Sequence, residues 1–228
     1  MFSEPPDPNW PRLLGLAAHE LRNRISVGTG YLRMLITSSD AGLTDRQRQF
    51  VTESQKAWAR MAALADEMSI LSQLEAGTYR IGRQPVAIRG LLQEVIEALP
   101  SSADGPAEVR LAAGAEVTAQ GDAARLRIAL TSVLVALRKE VVTSPELLVL
   151  AAERDLAGKP VCWMAISDAD HVGALAAAGP EGLTTFDEWR GGSGLKLAVA
   201  RRVIGAHGGA MFSAADGTTM GAVIVLPR

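Results

Sequence analysis

The chain has 228 residues, enough for one large domain or two small ones, and its hydrophobic content of 48% supports packed cores. A formal net charge of −2 argues against binding nucleic acid or an anionic membrane through bulk charge. Residues 1–12 lack the features of a secretion signal, and no stretch approaches the ~20 apolar residues of a membrane span. The single Cys162 cannot form an intrachain disulfide. We therefore expect a soluble, cytoplasmic protein without direct membrane insertion and with no nucleic-acid partner.

Two long helices are predicted after an N-terminal tail at residues 1–10. Apolar or small residues recur in steps of three and four from Leu14 to Leu35 and from Phe50 to Leu71. Thr44 and Gln47 form a capping-box pair at the start of the second stretch, and Gly77 predicts its end. A lone hairpin cannot bury stripes of this length on both helices. We expect residues 11–77 to form a helical hairpin that dimerises into a four-helix bundle.

The pattern changes after Gly77, where short strands and helices mix. Strands are expected at residues 79–84 (ended by Pro85), 111–119, 147–152, 161–166 and 221–226, helices at 88–99, 124–140 and 195–206, and a small-residue loop at 173–180. This mixture predicts a second domain, an α/β sandwich, over residues 78–228.

His19 is the candidate reactive residue, within the segment LAAHELRNRI at residues 16–25, which resembles the phosphoacceptor box of histidine kinases. The resemblance implies phosphoryl chemistry between this histidine and a partner's aspartate. It follows the stripe residue Ala18, so its imidazole should lie at the flank of the bundle, open to a phosphoryl donor. A neutral imidazole nitrogen is a nucleophile near pH 7, and Glu20 can accept the other ring proton and hold the reactive tautomer. Asn23, one turn further on, can orient a water that hydrolyses an aspartyl phosphate on a partner. We therefore predict that His19, Glu20 and Asn23 are catalytic.

This segment resembles the phosphoacceptor box of bacterial two-component sensor histidine kinases, usually HELRTPL, with Arg24 in the place of the proline. Further matches follow in the family's order. LEAG and then PVAIRGLLQEV resemble the family's interdomain linker, and GDAARL resembles the start of the nucleotide-box helix. After Phe186, GGSGLKLAVARRVIGAHGG at residues 191–209 resembles GGTGLGLAIVKRIVEAHGG. The resemblance implies a dimeric hairpin joined to a histidine-kinase ATPase domain, and a response-regulator receiver domain as partner.

The resemblance also implies a nucleotide site that has lost some of its residues. Asp168 matches the aspartate that accepts the adenine amino proton, but Asp170 and Val172 stand where glycines are usual, and Ala136 replaces the asparagine that holds magnesium. The remaining residues implied to bind the cofactor are Lys139, Gly192, Gly194 and Lys196. ATP and Mg²⁺ are the implied cofactors if the kinase is active, with weak or no nucleotide binding if the domain is degenerate.

Four other residues of the second domain have lesser expected roles. His207 is expected to pack or cap a helix, and His171 to lie in a loop. Phe186 and Trp189 flank a short lid, where an aromatic pair serves either packing or gating. The three histidines share no metal-ligand spacing, so no metal-binding residue is predicted.

Three functions remain open from the sequence. His19 is phosphorylated either from ATP by the C-terminal domain or from a receiver domain in a phosphorelay, and then passes the group to a receiver aspartate. Alternatively, the chain is a catalytically inactive pseudokinase that binds and inhibits a receiver or a kinase. An ATPase of the wider fold, such as an anti-sigma kinase or a topoisomerase subunit, does not explain the His19 box or the hairpin before it.

Overall fold

The computed structural model describes residues 9–37, 42–99, 107–140, 144–189, 193–217 and 219–228. The chain divides into two compact units, with the boundary between Tyr79 and Arg80. Most of the predicted tail, much of the loop between the two long helices, and Gly192 lie outside the described residues. Within the described ranges, no helix combines the length and the apolar character needed to cross a membrane.

The first unit is a hairpin of helix α1 (Trp10–Thr37) and helix α2 (Asp45–Glu75). The predicted capping box is confirmed: Thr44 N–H donates to Gln47 Oε1 at 2.9 Å, and Gln47 N–H donates to Thr44 Oγ1 at 3.3 Å. The predicted stop is also confirmed, because Gly77 follows α2 with a left-handed φ of 66°.

Small residues and one ion pair bring the two helices together. Ala18 and Ala65 are fully buried, and Gly28 lies under the indole of Trp58, where a Cβ atom would come within 2.6 Å of the ring. Arg22 Nη2 on α1 lies 2.6 Å from Asp66 Oδ1 on α2. This contact buries one face of each helix and leaves other apolar side chains exposed.

Over its described residues, the second unit contains the remaining helices and eight strands. In chain order these are β1 (Gln84–Ala87), α3 (Ile88–Glu97), β2 (Glu108–Leu111), β3 (Thr118–Gly121), α4 (Ala123–Glu140), β4 (Glu146–Leu156), β5 (Lys159–Ser167), α5 (Val172–Ala177), β6 (Leu183–Thr185), α6 (Leu195–Ala206), β7 (Ala210–Ala214) and β8 (Ala222–Pro227). The main sheet has the order β2-β4-β5-β8-β7-β6, parallel only between β2 and β4, while β1 and β3 form a separate antiparallel pair.

The main sheet has an apolar core on each face. Alternate residues of β5 point to opposite faces: Cys162, Met164 and Ile166 are buried on the side of the large helices. Burial raises the pKa of the Cys162 thiol to about 12, with a smaller contribution from Glu116. Val161, Trp163 and Ala165 face the other side and pack with residues of α5 and β8. The short helix α5 therefore belongs to a second hydrophobic cluster.

The structure differs from the predicted elements in four places. The strand expected at residues 79–84 is formed instead by Gln84–Ala87, and Pro85 is tolerated because β1 pairs on one side only. Residues 111–119 are not one strand but the end of β2, a connection, and the start of β3. The loop expected at residues 173–180 contains α5, and β6 and β7 were not predicted. The other elements follow the predictions, including α6 at both ends.

Candidate functional site

His19 is exposed on α1 and is oriented by the side chain one turn further on. Asn23 Nδ2 lies 3.2 Å from His19 Nε2. An amide nitrogen can donate but cannot accept, so Nε2 is the acceptor and the ring proton lies on Nδ1. The contact therefore presents the neutral tautomer with its nucleophilic lone pair on Nε2, next to a neutral hydrogen-bond donor.

Glu20 lies beside His19, but its carboxylate is near a cation. Arg24 Nη2 is 4.0 Å from Glu20 Oε2, an i,i+4 ion pair of two exposed side chains. Such pairs contribute little energy and rearrange easily. In this conformation the imidazole is held by Asn23 and not by the carboxylate.

The surface around His19 contains an apolar stripe that neither helix of the hairpin covers. Leu16, Val27 and Met34 on α1 are 57% to 60% exposed. Steps of three and four residues connect Leu16 to Glu20, Asn23, Val27, Tyr31 and Met34, so these side chains share one face of the helix. We call this set the outer stripe. It places two polar side chains of the His19 box between apolar ones.

A second set of exposed apolar side chains extends across both helices. It comprises Leu21, Leu35, Phe50, Met61 and Leu64, each 43% to 57% exposed. These five residues, which we call the seam, belong to the two heptad-like stripes predicted from the sequence. The outer stripe and the seam lie on different faces of α1.

The residues implied to bind nucleotide all belong to the second unit. Asp168 directly follows β5, Lys139 lies in the last turn of α4, and Lys196 lies in the first turn of α6. Gly194 precedes α6 with a φ of 61°, a conformation that favours glycine. Helices α4 and α6 pack against each other.

The Asp168 carboxylate is occupied by its own loop. Its Oδ1 accepts the backbone N–H of Asp170 and of His171, each at 3.0 Å, and lies 2.7 Å from His171 Nδ1. An ionised carboxylate only accepts, so Nδ1 carries the proton in this contact. His171 was expected simply to lie in a loop, and its contact with Asp168 was not anticipated. The i,i+3 spacing of an aspartate and a histidine after a strand was the available signal.

Magnesium does not fit the helix position where the family holds it. Ala136 on α4 is 1% exposed and has no side-chain oxygen, whereas magnesium requires oxygen ligands. Val172 does not obstruct the site, because its side chain packs in the cluster with Trp163. Asp170, in contrast, is exposed near Asp168 and adds a negative charge.

The segment expected to act as a lid is tied to the sheet and to α6. Phe186 is 1% exposed, so it packs, whereas Trp189 is 70% exposed. Glu188 is buried and accepts hydrogen bonds from Arg201 at 2.7 Å and Arg202 at 2.8 Å. Burial pushes the pKa of Glu188 upward, but the two arginines together hold it below its ordinary value. Glu188 was not identified from the sequence.

His207 has the structural role expected for it, as the cap of α6. It is buried, its Nδ1 lies 2.7 Å from Val203 O, and its Nε2 accepts the N–H of Asp122 at 3.1 Å. Asp122 in turn accepts the N–H of Arg125 in the first turn of α4. Burial opposes ionisation of Asp122, but backbone hydrogen bonds keep its pKa below the usual value. The two residues connect the ends of α4 and α6.

Residues 12–77 match the His Kinase A (phospho-acceptor) domain. The phosphate regulon sensor protein PhoR of Pseudomonas aeruginosa is 30% identical over 118 residues, which are 51% of this chain and 26% of PhoR. The chain thus spans about a quarter of the length of this curated relative.

Two solved structures share the fold of nearly the whole chain. Full-length ShkA, crystallised in complex with AMPPNP, superposes with a TM-score of 0.64 at 23% identity, over 94% of this chain and 45% of ShkA. The Acinetobacter baumannii histidine kinase AdeS superposes with a TM-score of 0.53 at 17% identity, over 92% of this chain and 97% of the AdeS chain. Both structures support a helical hairpin followed by a mixed α/β domain.

Proposed function

Because the chain has the core of a two-component sensor histidine kinase, with a His Kinase A phosphoacceptor domain at residues 12–77, we propose that His19 accepts a phosphoryl group and passes it to a response-regulator receiver domain. The observation that carries this proposal is the exposed imidazole whose Nε2 accepts a hydrogen bond from Asn23. The chain then acts as a two-component phosphotransferase.

The transfer follows from this tautomer. The Nε2 lone pair attacks the phosphorus of the donor, an N–P bond forms, and the bond from phosphorus to the donor oxygen breaks with its electron pair on that oxygen. The proton on Nδ1 stays in place. Asn23 releases Nε2 during the attack, and its amide remains close enough to donate to the new phosphoryl oxygens. The reverse sequence delivers the group to a receiver aspartate.

Glu20 has a proposed part in the same step. A phosphorylated ring is cationic while Nδ1 remains protonated, so a nearby carboxylate stabilises it. Glu20 is adjacent in sequence and leaves only a weak exposed pair with Arg24. We assign it the role of accepting the Nδ1 proton in a hydrogen bond when a partner is docked.

The outer stripe supports a folded protein as the partner of His19. Leu16, Val27 and Met34 flank the polar residues Glu20 and Asn23 and are more than half exposed. A patch with an apolar rim around a few polar groups is typical of a protein–protein contact. A receiver domain that covers this patch brings its aspartate to His19.

The seam supports a homodimer. Five large apolar side chains on one face of the hairpin remain exposed in the single chain, and a two-helix unit has little core of its own. Pairing of two seams gives the four-helix bundle expected from the heptad-like pattern.

We propose that a second receiver, and not ATP, donates the phosphoryl group to His19. Ala136 gives magnesium no oxygen, and Asp168 already accepts three hydrogen bonds within its own loop. Asp168, Lys139, Gly192, Gly194 and Lys196 are proposed to keep a residual affinity for nucleotide. A phosphorelay of this kind operates in the cytoplasm, where receivers and ATP are found.

Two labelling reactions test the proposal and identify the donor. The chain is mixed with Mg-ATP labelled at the γ-phosphate and, separately, with isolated receiver domains charged from labelled acetyl phosphate. Acid-labile label on wild type from the receivers, absent from His19→Ala, is the expected result. Label from ATP alone would replace the relay with an autokinase. If neither reaction labels the chain while His19→Ala still inhibits a receiver or a kinase, the pseudokinase function holds instead.

A further inference from the structure

The contact between His171 and Asp168 lies inside the candidate nucleotide site and is made entirely by the chain itself. We propose that the His171 imidazole is a built-in cap on Asp168, which competes with the amino group of an adenine nucleotide for that carboxylate. This inference rests on the nucleotide role proposed for Asp168. In this proposal, the His171 side chain lowers the affinity of the chain for an adenine nucleotide.

The hydrogen bonds of the carboxylate converge on one oxygen. Oδ1 of Asp168 accepts the N–H groups of Asp170 and His171 at 3.0 Å and the Nδ1–H of His171 at 2.7 Å. A carboxylate oxygen offers about two lone-pair sites, so three donors saturate Oδ1, and a nucleotide amino group that uses this oxygen must replace one of them. The imidazole contact is the shortest of the three and is the only one made by a side chain.

Burial shows which member of the pair faces the solvent. The Asp168 side chain is 11% exposed, whereas that of His171 is 50% exposed. The imidazole is therefore the outer group, and a ligand that approaches from solvent meets it first. A ligand donor that takes the place of Nδ1–H on Oδ1 therefore displaces the ring.

Buried side-chain packing and backbone hydrogen bonds fix the loop that carries His171. Val172 is 5% exposed within the cluster around Trp163, and its N–H donates to Asp168 O at 3.0 Å. At the far end of α5, Arg154 donates to the carbonyls of Ala176 and Ala178 and stacks over the Trp163 ring at 4.2 Å. Because the loop is fixed in this way, the His171 imidazole has a high effective concentration at the Asp168 carboxylate. The apparent affinity thus equals the intrinsic affinity multiplied by the fraction of molecules in which the cap is open.

Calorimetric titration of ADP into the full chain tests the cap. His171→Ala should bind ADP roughly tenfold more tightly than wild type, because it removes the competing donor. His171→Asn places an amide near the position of Nδ1 and should keep the weak affinity. GDP lacks the amino group at the corresponding ring position, so its affinity should not change. Asp168→Asn in the His171→Ala chain should abolish the gain.

Three results would overturn the cap: equal ADP affinity in wild type and His171→Ala, a gain for GDP as large as for ADP, or no ADP binding by His171→Ala. If thermal melting shows that His171→Ala is unfolded, His171→Val, which has neither a ring nor a donor, replaces it with the same expectations. Failure of the proposed phosphotransfer is a separate result, because it appears as an unlabelled His19 in the receiver reaction.

Discussion

The hydrogen bond between Asn23 and His19 makes the imidazole more than an exposed side chain. A free histidine samples both tautomers and several rotamers, whereas a donor at Nε2 selects the Nδ1–H form. Asn23 thus influences which ring nitrogen has the free lone pair and where that lone pair points. At the scale of single residues, we propose that this pair performs the phosphotransfer, and we expect Glu188 to stabilise the candidate lid.

Replacing Asn23 should slow phosphotransfer without unfolding the hairpin. Asn23→Ala loses about one hydrogen bond, so the transfer rate should fall about three- to tenfold. Asn23→Asp should be slower still, because a carboxylate accepts a proton from Nε2 and so selects the unreactive tautomer. Rapid-quench measurement of transfer from a charged receiver gives both rates, and wild-type speed in Asn23→Ala would show that the contact has no role.

The buried Glu188 should make stability depend on pH. Its folded pKa lies below the usual 4.5, so its stabilising effect is present above that value and is lost as pH falls through the folded pKa. Glu188→Gln should cost about 2 kcal/mol at neutral pH, less than for a fully buried pair because both arginines are partly exposed. Urea unfolding should show this difference shrinking as pH falls below about 4.5. A difference that is the same at every pH would contradict the assignment.

At the scale of elements, the hairpin depends on a close approach at Gly28. A Cβ atom there would lie within 2.6–2.9 Å of three atoms of the Trp58 ring, whereas one at Gly30 would contact nothing within 4 Å. Both residues lie inside α1, so helix propensity favours alanine equally at each. Alanine substitution at the two positions therefore distinguishes the effect of packing from the effect of helix propensity.

The same substitution should thus have opposite effects two residues apart. Gly30→Ala should stabilise the hairpin by roughly 0.8–1 kcal/mol through propensity. Gly28→Ala should destabilise it by about 1–2 kcal/mol, because the clash with Trp58 outweighs that gain. Thermal unfolding of the two variants gives the comparison, and stabilisation by both would mean that the indole can move away at no cost.

Elements with a strong period of their own were predictable, whereas those made by tertiary pairing were not. The capping box at Thr44 and the stop at Gly77 are local signals, and both correctly predicted the ends of α2. Strand β1 forms through Pro85 because β3 lies beside it, and β6 exists only as a partner of β7. Neither pairing is encoded in a short window of sequence.

The site shows the same division. The i,i+4 spacing of His19 and Asn23 suggested a shared face, and the structure brings their side chains into contact. The contact of Asp168 with His171 depends on how the chain turns after β5. The burial of Glu188 depends on α6, which is distant in sequence.

At the scale of the whole molecule, we propose separate roles for the two exposed apolar sets on the hairpin, one in dimer assembly and the other in partner recognition. The seam lies across both helices, and the outer stripe lies on α1 beside His19. Leu64→Glu should break the dimer, because it places a charge at the seam. Val27→Glu should leave the dimer intact but weaken transfer from the receiver.

Sedimentation measurements and the transfer assay together distinguish the two sets. A monomeric Leu64→Glu and a dimeric Val27→Glu with slow transfer are expected. If both variants remain dimeric, or if Val27→Glu dissociates and Leu64→Glu does not, the assignment of the two faces is wrong.

We propose that His19, of the three histidines in the chain, carries the phosphoryl group. Peptide mapping by mass spectrometry under alkaline conditions, after reaction with a charged receiver, locates the modified residue directly. We expect an acid-labile phosphate on the peptide that contains His19 and none on those that contain His171 or His207. Phosphate on either of the other two, or on no histidine with any receiver that docks, would contradict it.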